Sequence, residues 1–280
     1  MKTRLALTGV VGLVVASAAA AAPVTWTGAA GGDWETGGSW DTGSAPVLDG
    51  TDTATIGNGD TVTYNPGPDL TINAGSSLTI SGGSTWQQGP TNWSQVNGGS
   101  LVLDNGTFSR TGGGNLVLGF NDGDDATLSL DNGSEINLGG ELWLGHTAAI
   151  TNQTISVTIA GGSSISATTP GAVGLWLWDP DSAGSDFNIN FISGTEVSSI
   201  NARVGIRTAA GGNNAALWES LWADGLLTID GGNAGSFSDH FVTTGTPGTS
   251  DYSLQTIAVP EPGSLALLGL GGLALLRRRR

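Results

Sequence analysis

The chain has 280 residues, 47 of them glycine, with 12% charged residues and no cysteine. Glycine without a three-residue period excludes collagen, 38% hydrophobic content with 10 tryptophans excludes a disordered chain, and the lack of cysteine leaves stability to a packed core. Between Pro23 and Val259 there are 23 acidic side chains against three bases (Arg110, Arg203 and Arg207), a formal −20 that repels nucleic acid and anionic lipid.

That acid excess suits the solubility of an edge-rich β protein. A sharper reading is divalent cation binding, or contact with a cation-bridged polysaccharide.

Residues 1–22 read as a secretory signal peptide. Lys2 and Arg4 precede an apolar run from Leu5 to Val15, and alanines up to Ala22 offer several A-x-A cleavage frames. Pro23 directly after a cut is awkward, so cleavage one or two residues earlier also fits.

Residues 23–53 carry Trp26, Trp34 and Trp40 among glycines and acids. A stacked-coil protein must cover its exposed first coil, and large aromatic rings do so economically. The competing reading is a platform for stacking on sugar rings. The stretch resembles the tryptophan-glycine opening that precedes the repeats of autotransporter-like and PEP-CTERM surface proteins.

Residues 54–258 repeat a short apolar-x-apolar unit followed by a glycine turn. Copies begin at Val62, Leu70, Leu78, Leu101, Leu128, Val157, Ile189 and Leu227. The clearest self-similarity is Leu101-Val102-Leu103-Asp104-Asn105-Gly106 against Leu128-Ser129-Leu130-Asp131-Asn132-Gly133, with Leu116-Val117-Leu118-Gly119 matching Leu142-Trp143-Leu144-Gly145. Period two points both apolar side chains one way, and glycine supplies the turn. Self-similarity over tens of residues signals a stacked repeat.

The expected fold is therefore all-β: a right-handed parallel β-helix with irregular coils and loop inserts. Six to eight coils at ~4.8 Å each would make a rod of roughly 30–40 Å. A β-sandwich is the alternative. Only Ala215 to Leu227 is expected to hold a short helix. The position between the two apolar residues (Thr63, Thr71, Thr79, Val102, Ser129, Thr158, Asn190, Thr228) is expected to stack into a mostly threonine column. Threonine ladders can order water, as in ice binding, but threonine also simply suits the solvent face of a strand.

Residues 259–280 read VPEPGSLALLGLGGLALLRRRR. Pro260-Glu261-Pro262 is stiff and extended. An uncharged apolar stretch from Gly263 to Leu276 is expected to form a single apolar helix, short for a membrane span. Arg277, Arg278, Arg279 and Arg280 would stay cytoplasmic and leave the body outside. These three parts, in this order at the chain end, closely resemble the PEP-CTERM sorting signal of Gram-negative bacteria. The resemblance implies recognition by an exosortase, a membrane transpeptidase or protease acting near Pro260, Glu261 and Pro262. It further implies an extracellular address in an organism that makes biofilm polysaccharide, and it transfers no catalytic residue.

Sites in the body are sparse. Asp122, Asp124 and Asp125 in one loop and Asp179, Asp181 and Asp186 in another are oxygen-rich, so Ca²⁺ is the cation to weigh against solvated turns. Neither loop has the spacing of a calcium-binding repeat. Right-handed β-helices include pectin-acting enzymes, which directs attention to Asp with Arg on one face. Arg203 and Arg207 could neutralise a uronate, although pairing with nearby Asp or Glu is the ordinary reading. His146 and His240 are the only histidines, and no nucleophile elbow or paired-His metal spacing accompanies them. Trp176, Trp178, Trp218 and Trp222 are candidate carbohydrate contacts in the two longest inserts. The reading is a non-enzymatic, exported structural or adhesive component of the envelope or biofilm. A polysaccharide-binding protein, lyase or hydrolase is the alternative.

Overall fold

The structure is a computed structural model that describes residues 20–65, 69–89, 93–146, 152–167, 173–180, 184–207, 213–247, 249 and 251–259. Its described part is built from three sheets that the chain visits in turn. The first holds eight parallel strands: Ala22–Thr25, Asp52–Ile56, Ser77–Ser81, Ser100–Asp104, Ala126–Asp131, Thr154–Ile159, Asp186–Phe191 and Leu227–Ile229. The second runs in parallel from Gly32–Asp33 through Thr61–Tyr64, Thr85–Gln88, Thr107–Arg110, Glu135–Leu138 and Ser164–Ala167 to Ser199–Ala202. The third runs in parallel from Leu70–Asn73 through Ser94–Asn97, Leu116–Leu118, Leu142–Leu144 and Leu175–Trp178 to Val204–Arg207. Each strand pairs with its equivalent one circuit later, so the architecture is an all-β, solenoid-like stack. The β-sandwich alternative requires antiparallel sheets and is not what forms. Eight strands at ~4.8 Å spacing give a stack of roughly 34 Å.

The self-similar sequence unit is one complete circuit. Leu101 pairs with Leu128 in the first sheet, Phe108 with Ile136 in the second, and Leu116 with Leu142 in the third. The three closely spaced copies have a different meaning. Val62, Leu70 and Leu78 lie on the second, third and first sheets respectively, so they are three sides of one coil rather than three stacked coils. The expected threonine column is corrected accordingly. Thr63 and Thr71 lie on other sheets, and the first-sheet row is Thr25, Thr55, Thr79, Val102, Ser129, Thr158, Asn190 and Thr228.

Inside the stack, alternation sends one apolar row from each sheet to a common core. The first-sheet row Ala54, Leu78, Leu101, Leu128, Val157, Ile189 and Leu227 is buried throughout. The second sheet contributes an aromatic ladder near its start. Trp86 stacks on Phe108 with ring centres 4.6 Å apart, and on Tyr64 at 5.4 Å. One polar corner interrupts this core. The buried guanidinium of Arg110 donates to the Asn115 carbonyl, and desolvation, partly offset by the Asp69 carboxylate, lowers its pKa to about 10.

Both ends of the stack are closed. At the start, Trp26 and Trp34 meet Trp40 edge-on at 5.1 and 4.8 Å, and the Trp40 indole N–H donates to the Trp34 carbonyl at 2.8 Å. All three rings are at most 4% exposed, which fits a cap and removes the sugar-platform reading for residues 23–53. This segment also supplies the first strand of two sheets, so it is itself an abbreviated coil. At the far end the short helix α1 (Trp218–Ala223) forms inside the expected window and buries Trp218, Leu221 and Trp222 on one face. A second helix, α2 (Phe237–His240), begins with a capping box from Ser236 and Asp239. Antiparallel strands Phe241–Thr244 and Ser253–Thr256 finish the second sheet.

The expected signal peptide lies largely outside the described residues, which begin with the approach to the strand Ala22–Thr25. The expected apolar helix from Gly263 to Leu276, with Pro260, Glu261, Pro262 and Arg277 to Arg280, also lies outside them. Among the described residues no helix is long and apolar enough to cross a membrane.

Candidate functional site

The outward surfaces of the first two sheets are chiefly Ser, Thr and Asn. The third sheet breaks the rule. Its outward row runs Thr71, Gln95, Val117, Trp143, Trp176 and Gly205, and Val117, Trp143, Val173 and Trp176 form an apolar cluster separate from the core. Trp93, Phe120 and Trp178 pack against it from the edges. Gly205 is part of the construction, because a Cβ there would lie 2.6 Å from the Trp176 ring.

Repeat geometry assembles the belt. Leu118-Gly119-Phe120 and Leu144-Gly145-His146 close equivalent third-sheet strands, with Gly119 and Gly145 both at positive φ. One coil advances about one strand spacing, so the residue after each glycine meets its counterpart. Phe120 and His146 stack at 4.1 Å with an 11° interplanar angle. His146 also stacks on Trp143 at 5.4 Å and meets Trp93 edge-on at 5.6 Å.

Arg207 completes the group. Its guanidinium lies 4.4, 4.7 and 5.1 Å from the ring centres of Trp176, Trp178 and Trp143, within the range of cation–π attraction. Among the described residues neither Arg207 nor Arg203 forms an ion pair. Among the described residues, Nε of Arg207, Nε1 of Trp176 and Trp178, and Nδ1 of His146 are buried without a hydrogen-bond partner. Trp143 instead donates to the Glu141 carboxylate at 2.6 Å.

Burial and the neighbouring Arg207 charge both hold the His146 pKa below its usual 6.5. The neutral ring is thus favoured in the fold. The unfolded chain takes up a proton first as pH falls, so stability is full above about 6.5 and declines as pH drops below it. In a histidine titration by NMR, His146 is expected to titrate below 6.5, and Arg207→Met should move it upward. A wild-type value at or above 6.5 would contradict this electrostatic description.

The four tryptophans singled out in the sequence separate into two pairs. Trp176 and Trp178 join the belt, but from the strand Leu175–Trp178 rather than from a loop insert. Trp218 and Trp222 are buried in the end cap, Trp222 against Phe237, His240 and Phe241, and offer no sugar surface. Trp93, Phe120, Trp143 and His146 were not singled out as a group. The sequence signal for Phe120 and His146 is the aromatic residue after glycine in consecutive copies of one unit, a signal that Trp93 and Trp143 lack.

The acidic loops share one corner, between the third and first sheets. Asp124 accepts the Asn121 backbone N–H at 2.9 Å, and Asp125 accepts that of Thr154 at 2.8 Å, as turn-capping carboxylates do. Asp122 also has an interaction. Asp179 has φ of 47° and donates its N–H to the Arg207 carbonyl, while the Asp186 N–H donates to Gln153. Asp181 lies outside the described residues. Among those described, no three His, Asp or Glu side chains gather into a metal-sized group.

Comparison with known families places one segment. Residues 258–280 match the PEP-CTERM protein-sorting motif, which contains Pro260, Glu261, Pro262 and the four terminal arginines. The chain therefore carries a C-terminal sorting signal of an exported, exosortase-sorted protein. No curated protein and no solved structure matches the chain.

Proposed function

We propose that this protein is a cell-surface or extracellular-matrix component with a structural or adhesive role in the envelope or biofilm, without enzymatic activity. The observation that carries the reading is the junction of a sorting motif at residues 258–280 with a closed, stacked β body. A body hydrogen-bonded from coil to coil and capped at both ends suits a spacer or scaffold. We take its coils as right-handed, the hand of nearly all parallel crossover connections. In this reading exosortase is the processing partner. The apolar segment after Pro262 holds the chain at the inner membrane until Pro260-Glu261-Pro262 is processed. Extracellular polysaccharide is the surrounding partner.

The test compares an exosortase-positive host with its exosortase deletion, by intact mass and by cell fraction. Trimming near Pro260 and release or surface attachment only in the positive host is the expected result. An intact chain held in the inner membrane of both hosts would reduce the tail to a plain anchor. Turnover of a uronate polymer by the purified protein would replace the structural role with the lyase or hydrolase alternative.

A further inference from the structure

We infer that the aromatic belt on the third sheet binds an acidic oligosaccharide, with sugar rings stacked on Trp93, Trp178 and the Phe120–His146 pair and a uronate carboxylate paired with Arg207. The inference deepens the proposed function, since it rests on the body meeting extracellular polysaccharide.

Three observations converge on this occupant. First, Trp93, Phe120, His146, Trp178 and Arg207 are all partly exposed, whereas the neighbouring outward surfaces are polar. Flat aromatic faces with polar edges match a pyranose, which has a C–H face and a hydroxyl rim. Second, Arg207 has no ion-pair partner among the described residues and is one of three bases in a body with 23 acids. A carboxylate is the group that complements a guanidinium in two parallel hydrogen bonds. The body's overall negative charge is screened beyond about 8 Å at physiological ionic strength, while contact with Arg207 is not. Glu141 and Asp179 beside the belt remain as acceptors for sugar hydroxyls. Third, the belt is too narrow for a protein partner, because among the described residues no large exposed apolar side chain belongs to its cluster. Val47, Ile192, Val197, Leu217, Val242, Ile257 and Val259, which are exposed, lie elsewhere in the sequence and outside the cluster. A stable protein interface needs about 800 Å² per partner. The belt crosses five strands, about 19 Å at ~4.8 Å spacing, which suits a short oligosaccharide.

The test is calorimetry and tryptophan fluorescence on the full exported chain, with oligogalacturonate as probe and a neutral oligogalactose of equal length as control. Oligogalacturonate should bind and quench tryptophan emission, with the neutral chain about tenfold weaker or worse. Arg207→Met and Trp178→Ala should each weaken binding about tenfold or more, the loss of a charge-assisted contact or a stacked ring, and Arg207→Lys should retain part of it. Melting curves confirm that each variant folds. Independently of any variant, the bound anion should raise the His146 titration. Absence of binding, equal binding of the neutral chain, or unchanged binding by folded Arg207→Met would each overturn the inference. So would a dimer dispersed by Trp178→Ala, which would assign the belt to a second copy of this chain. Tail processing in the two hosts reads the sorting role separately. Lost sugar binding with intact processing removes only the belt, and lost processing with intact binding removes only the sorting role.

Discussion

Trp86→Ala is expected to destabilise the protein by about 3–5 kcal/mol, the cost of truncating a fully buried aromatic ring. The indole is completely enclosed and is the middle ring of the ladder Tyr64, Trp86, Phe108. In register it stands between Val62 on one coil and Phe108 on the next. The cavity would therefore open in an early coil, where both neighbours are held by strand pairing and have little freedom to collapse. Urea unfolding followed by near-UV circular dichroism reads the change, because the stacked rings are the reporter. A loss below about 1 kcal/mol would mean that the early coils repack freely and that the ladder is not a rigid element.

The second large effect separates two glycines that look equivalent. Gly106 and Gly133 close the same Asp-Asn-Gly sequence, but the register sets Gly106 opposite Ser134, one residue past Gly133, and the two are required for different reasons. The φ of Gly133 is 73° with open space around its Cα, whereas a Cβ on Gly106 would sit 2.3 Å from the Ile80 carbonyl oxygen of the preceding coil. Gly133→Ala should cost about 1–2 kcal/mol, the left-handed penalty of a side-chain-bearing residue. Gly106→Ala collides with main chain that belongs to the first-sheet ladder, and its cost should reach or exceed about 3 kcal/mol, the upper range for overpacking. Thermal melting of the two variants side by side decides the matter. Equal losses would show that the coils separate easily and that close contact between turns is not a constraint.

Much of the architecture was legible because a coil repeats its pattern of apolar pairs and turns. The pairing of Leu101 with Leu128 and of Phe108 with Ile136 could be anticipated from the unit itself. The triangular section was harder to see. Val62, Leu70 and Leu78 are chemically alike, and periodicity of two cannot say whether the next strand lies above the last or around the corner. The turns carry that information, and their glycines and asparagines permit several bends. Asn105, Asn132 and Asn152 all adopt positive φ, the left-handed turn conformation that asparagine tolerates. The belt was half visible. Trp176 and Trp178 stood out by residue type, but their partners are separated by one coil or more in sequence. Only the stacking register brings Phe120 to His146 and Arg207 across three tryptophans. Trp218 and Trp222 misled for the opposite reason, since a tryptophan suited to a sugar is equally suited to sealing an open end.

The last described residues carry a mechanical consequence. The Val259 N–H still donates to the Gly194 carbonyl at 2.8 Å, and Ile257 donates to His240 at 2.9 Å, so the body has no slack before Pro260. A tug on the tail is delivered straight into Ser253–Thr256, the antiparallel strand between Ser199–Ala202 and Phe241–Thr244. The parallel coils further along bond only to their immediate neighbours. Load would accordingly be shed piece by piece from the tethered end, with the terminal hairpin yielding first and the end closed by Trp26, Trp34 and Trp40 last. A stack built this way would give ground under load instead of failing all at once.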